Sequence, residues 1–191
     1  MSDALAEIRA RIIEDPANAW AKELGWAPLY TAAPTSRIAI IGQAPGRRAQ
    51  ESGIPWDDPS GVKLRDWLGV SDEEFYDPAR IALLPMDFYF PGKATSGDLP
   101  PRKEFAPIWH PLILEQLPDL QLTILIGSYA QKHYLRTRSS LTETVRGHAD
   151  YLPAYFPIVH PSPLNFRWQA KNPWFETDVI PELRRRVRAA L

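Results

Sequence analysis

The sequence of 191 residues contains no cysteine. That single absence excludes disulfides, thiolate nucleophiles, iron–sulfur clusters and the usual structural zinc sites. No apolar run approaches the roughly 18 residues of a membrane span. The first residues, Met1-Ser2-Asp3-Ala4-Leu5-Ala6-Glu7, carry an early acid and no apolar core of signal-peptide length, so a cytoplasmic location is the expectation. An excess of charge is also missing. With 22 basic against 23 acidic residues the net charge is −1, which excludes a protein that holds nucleic acid by bulk charge and leaves only local patches. No internal repeat, low-complexity tract or composition shift is present, so residues 1–191 are read as a single domain. Nothing suggests an obligate partner, and a monomer is expected.

Proline and tryptophan are abundant instead. The 20 prolines are about twice the usual frequency of roughly 5% and fall mostly between apolar runs, which implies many stiff, shaped loops. Seven tryptophans accompany them, and rigid loops bearing aromatics suit a site that stacks flat rings.

Four short unbroken apolar runs, at 37–41, 80–84, 122–126 and 155–159, have the pattern of parallel strands buried on both faces. Helical patterns occur at 4–14, 62–68, 104–117, 129–135 and 175–191, the first closed by Asp15-Pro16. Strands alternating with helices predict an α/β three-layer sandwich around a short, mainly parallel four-stranded central sheet, with right-handed crossovers. In such sheets ligands sit beyond the carboxyl ends of the strands, so the segments after each strand are the informative ones.

The first strand is followed by Gly42-Gln43-Ala44-Pro45-Gly46. Two glycines and a proline let the backbone approach a ligand and present N–H groups in fixed geometry, although the Lys-Ser/Thr of a phosphate loop and the third glycine of a dinucleotide fingerprint are missing. A tight turn without chemical work has the same signature. The fourth strand is followed by His160-Pro161-Ser162-Pro163-Leu164-Asn165, where prolines around Ser162 hold an imidazole at a strand end. The second is followed by Pro85-Met86-Asp87-Phe88.

The pairing of Gly42-Gln43-Ala44-Pro45-Gly46 with His160-Pro161-Ser162-Pro163-Leu164 resembles the first and last motifs of the uracil-DNA glycosylase superfamily. Gly53-Ile54-Pro55-Trp56 matches the segment whose ring stacks on the flipped base. The Gly-x-Ala-Pro-Gly form looks most like the thermophile-type branch, whose iron–sulfur cluster needs four cysteines that this chain lacks. The resemblance therefore implies hydrolysis of an N-glycosidic bond in DNA, with uracil or another deaminated or damaged base as leaving group in base excision repair. It implies no metal and no cofactor. His160, with Gln43 and Asp87, is expected to do the chemistry; Gly42, Gln43, Ala44, Trp56, Met86 and Phe88 to bind the base. Arg47, Arg48, Lys93, Ser162, Leu164, Asn165, Arg167 and Lys171 are expected to hold single- or double-stranded DNA, with Leu164 at the position that wedges into the duplex.

Two departures matter. Many members place an Asp where Ala44 stands, to position the attacking water, and Asp57, Asp58 and Asp87 are the candidate replacements. Members also use an Asn after the second strand to read the base edge, because an amide can donate and accept together. Asp87 is the nearest substitute, and an ionised Asp87 would accept only. The departures keep two alternatives open, a catalytically decayed nucleic-acid or nucleotide binding module of the same fold and a small-molecule nucleoside or nucleotide hydrolase. The arginines at 184, 185, 186 and 188 are read as a solvated face of a terminal helix.

Overall fold

The computed structural model describes residues 3–191. The amino-terminal half runs α1 (Asp3–Glu14), α2 (Ala19–Glu23), β1 (Ile38–Ile41), α3 (Arg47–Ser52), α4 (Pro59–Leu68), α5 (Asp72–Tyr76) and β2 (Ile81–Leu83). The rest runs α6 (Phe105–Leu114), β3 (Leu122–Ile126), α7 (Gly127–Leu135), α8 (Leu141–Arg146), β4 (Tyr155–Ile158), α9 (Phe166–Lys171) and α10 (Ile180–Ala190). A π-helical turn, Phe175–Val179, leads into α10. Among the described residues no helix is long and apolar enough to cross a membrane.

The four strands form one parallel sheet in the order β2-β1-β3-β4, with Ile38 beside both Ile81 and Leu122 and Thr123 beside Tyr155. Apart from Thr123 the strands are built of apolar residues, because each face meets helices. Ile38, Ile40, Ile124 and Ile158 point to one layer, with Leu64 and Trp67 of α4 and Leu183 and Val187 of α10. Ala39, Ile41 and Leu125 point to the other, with Leu5, Ile8 and Ile12 of α1 and Phe105, Trp109 and Ile113 of α6. The α/β sandwich read from the sequence is the fold observed. At roughly 1.5–3 kcal/mol for each large apolar side chain fully buried, these layers supply most of the force that holds the sheet.

Several helices differ from the sequence pattern at their ends. Helix α4 starts at Pro59, earlier than its apolar period suggests, because the Asp58 side chain caps it at Gly61 N (2.8 Å) and proline fits the first turn. Gly69, at φ 68°, ends it. Helix α6 stops at Leu114, and Glu115 is held by a hydrogen bond to the Pro111 carbonyl. Neither α2, α3, α5, α8 nor α9 exceeds six residues, too short for a periodic signal.

Candidate functional site

A cavity of about 190 Å³ opens where chain order reverses across the sheet, beyond the carboxyl ends of β1, β2 and β4. The turn after β1 supplies Gly42, Ala44, Pro45 and Gly46; Pro85 comes from the loop after β2, and His160 and Ser162 from the loop after β4. Trp56, Asp58, Ser60 and Asp98 complete the polar and aromatic lining.

The glycine turn is fixed from behind. The Gly42 carbonyl accepts from Met86 N (2.8 Å) and the Gln43 carbonyl from Asp87 N (3.2 Å), which locks the loop after β2 onto the turn. Trp56 sits in the left-handed region at φ 58°, uncommon for a bulky residue, and its ring lies 5.7 Å from the His160 ring with a 31° tilt. Two glycines make room for it. A Cβ on Gly61 would come within 1.9 Å of the Trp56 carbonyl oxygen, and one on Gly42 within 2.9 Å of its ring.

His160 is held by its own loop. Its Nδ1 accepts from Ser162 N (3.1 Å), and its carbonyl accepts from the Asn165 amide (2.8 Å). With Nδ1 an acceptor, the neutral ring carries its proton on Nε2, leaving that N–H as the donor available to a ligand. Burial pushes the His160 pKa below the usual imidazole value, and the nearby carboxylates of Asp58 and Asp98 offset part of that effect. The ring is therefore neutral at physiological pH.

The structure gives other expected residues different work. Asp87, read from the sequence as catalytic, is buried at 1% exposure and does not line the cavity. Its carboxylate forms a two-pronged pair with Arg102 (2.7 and 2.8 Å) and also accepts from Tyr89 N and Arg102 N. Arg102 in turn donates to the Ala17 carbonyl and the Asn18 side chain, so the pair is a latch between distant segments. Met86 and Phe88, expected to bind the base, are core residues. The Phe88 ring stacks on Tyr30 (4.3 Å) and on His110 (5.7 Å). Gln43, expected to act on the base, donates to the Leu99 carbonyl (3.1 Å) and is not part of the lining. Ser162 and Asn165, expected to touch DNA, are engaged by the loop itself, Ser162 Oγ accepting from Leu164 N.

Among the expected DNA-holding cations, Arg47 lies 3.5 Å from Glu51, Arg48 3.5 Å from Asp57 and Lys93 2.7 Å from Asp98. Arg167 lies over the Phe166 ring. Leu164 is 82% exposed, and the exposed Phe166 and Val62 line a groove that shares Ser162 with the cavity. Arg184, Arg185, Arg186 and Arg188 pair with Asp66, Glu182 and Glu74, as a solvated helix face should. Sequence reasoning missed Asp98, Ser60 and Phe166. The Gly97 and paired prolines around Asp98 signalled a shaped loop without showing where it folds.

Fold and site together define an α/β domain with a small polar and aromatic pocket at the carboxyl edge of its sheet. A sequence model of the Uracil DNA glycosylase superfamily matches residues 29–184, and the chain belongs to that superfamily. Among solved structures it is similar to the solution NMR structure of a Methanosarcina acetivorans protein proposed to be a uracil DNA glycosylase. That match has 15% identity and a TM-score of 0.48, over 82% of this chain and 94% of the other.

Proposed function

We propose that the protein is a DNA glycosylase that hydrolyses the bond between a deaminated base, uracil foremost, and its deoxyribose. The observation that carries this reading is His160, a neutral imidazole fixed by its loop with one free N–H in a ring-sized cavity. Flipping a base out of the stack costs a few kcal/mol, and a pocket walled by Trp56 and the glycine turn repays it through stacking and close backbone contact. Cleavage sends the bonding electrons to the base, which leaves as an anion. The Nε2–H of His160 donates to the base oxygen where that charge develops, and it costs no reorganisation because the ring is already held.

Water must then bond to the anomeric carbon and lose a proton. Asp58 is suited to orient that water and accept the proton, since one of its oxygens is committed to the α4 cap and it lines the same cavity as His160. It takes the part that Ala44 cannot. Leu164 and Phe166 serve the DNA around the lesion, with Arg47, Arg48, Arg167 and Lys171 as phosphate partners.

The test is single-turnover excision from single- and double-stranded oligonucleotides carrying uracil, hypoxanthine, xanthine or oxidised pyrimidines. His160→Ala should lower the rate by roughly 10²-fold or more, the scale for removing one such donor. An unchanged rate in that variant, or no excision by the wild-type protein, overturns the reading.

A further inference from the structure

Among the described residues no asparagine or glutamine side chain lines the cavity, so no amide there sets a donor and an acceptor side by side against a base edge. Its carboxylates are Asp58, capping α4, and Asp98, which arrives by an unusual route. Residues 92–99 form a small hairpin in which Lys93 bridges Asp98. Leu99 N donates to the Gly92 carbonyl (2.9 Å) and Ala94 N to the Gly97 carbonyl (3.1 Å). Gly92 at φ 105° and Gly97 at φ 77° allow the turn, and Gln43 ties its base to the glycine turn through the Leu99 carbonyl. One oxygen of Asp98, Oδ1, lies 2.7 Å from Lys93 Nζ. The pair is too exposed to matter much for folding, with side chains 30% and 61% accessible, yet the hairpin places Asp98 in the cavity lining with Lys93 directly behind it on Oδ1.

We infer that Lys93 and Asp98 together read the base edge, Asp98 Oδ2 accepting a ring N–H and the Lys93 ammonium donating to the carbonyl beside it. This deepens the glycosylase reading, on which it rests for its context. The substrate class follows from the pattern. Uracil offers N3–H beside O4, and hypoxanthine offers N1–H beside O6, so both match. Cytosine and adenine reverse the order: a ring nitrogen lone pair meets the carboxylate and an amino group meets the ammonium. The pair therefore accepts uracil and hypoxanthine and rejects their parent bases, cytosine and adenine. A carboxylate alone would repel O4, and Lys93 removes that conflict.

The experiment uses single-stranded oligonucleotides carrying uracil or cytosine in one context, with excision and equilibrium binding measured in parallel. Wild type should bind the uracil strand in preference to the cytosine strand. Lys93→Met and Asp98→Ala should each lower uracil excision roughly 10- to 100-fold, the scale for one charge-assisted hydrogen bond. The double variant Lys93→Met with Asp98→Asn should recover most of that loss, because one amide supplies both acceptor and donor. An ion pair that merely holds the hairpin would stay broken in the double variant and give no recovery. Excision indifferent to the single variants, or a double variant as slow as Lys93→Met, overturns the inference and leaves the glycosylase reading intact. Preferential uracil binding that follows the same variant pattern without excision supports the pair and overturns the activity. Neither preference nor excision overturns both.

Discussion

His110 offers a direct measure of how burial shapes the wall of the cavity. Its ring lies on α6 at 1% exposure, stacked on Phe88, with Nε2 3.0 Å from the Pro85 carbonyl and Nδ1 2.6 Å from the Tyr134 hydroxyl. The neutral tautomer satisfies both contacts, Nε2–H donating to Pro85 and Nδ1 accepting from Tyr134. Burial pushes the pKa down to about 4, the Pro85 hydrogen bond opposing part of the shift and nearby His133 adding to it. Because the folded value lies below the unfolded one near 6.5, the neutral ring favours folding above pH 6.5, and this contribution is lost as pH falls toward 4. At about 1.4 kcal/mol per pH unit across that window, the loss amounts to about 3 kcal/mol. Urea midpoints of wild type and His110→Gln, measured from pH 4 to 8, isolate it. Glutamine keeps a donor and an acceptor but cannot titrate, so its stability should fall more gently by about one proton's worth of slope. His133 and His160, also depressed by burial, tilt both curves alike. Parallel curves would refute the reasoning. Since Pro85 lines the cavity, acid should also loosen the base site.

The sheet was legible because its strands are buried on both faces. A run such as Leu122-Thr123-Ile124-Leu125-Ile126 has no polar face to confuse it with a surface element. The short helices were hidden for the opposite reason, since five or six residues show no period, and only α5 and α8 among them carry a side-chain cap at the start. Ser71 with Glu74 and Ser140 with Glu143 form capping boxes, a Ser-x-x-Glu spacing that the sequence itself carries. The cavity divides in the same way. His160, Trp56 and the glycine turn were visible because each is set by its own neighbours, prolines and glycines within a few residues. Asp87 was misread because its role depends on Arg102, fifteen residues on, and through it on Ala17 and Asn18 across the fold. Asp98 was missed because only the folded hairpin turns an acid in a proline-rich loop into a cavity residue.

The remaining expectations are specific to single contacts. Arg102→Ala strands a buried carboxylate and should cost about 3 kcal/mol, the low end for a broken buried pair because Arg102 is partly exposed; chemical denaturation at pH 7 measures it. Trp56→Ala should weaken base binding by roughly 1–3 kcal/mol while Trp56→Phe keeps most of it, as titration with a uracil-bearing strand would show. The two glycines that seat Trp56 should respond differently to alanine. At Gly61 the new Cβ meets the Trp56 backbone, 1.9 Å from its oxygen and 2.8 Å from its carbonyl carbon, so the first turn of α4 must shift and the melting temperature should fall, by an overpacking cost of roughly 1–3 kcal/mol. At Gly42 the Cβ meets only the edge of the indole, which can swing aside, so stability should hold while the ring leaves its place beside His160 and excision drops. Equal melting losses in both variants would show that the ring cannot yield, and full excision by Gly42→Ala would remove Trp56 from the site.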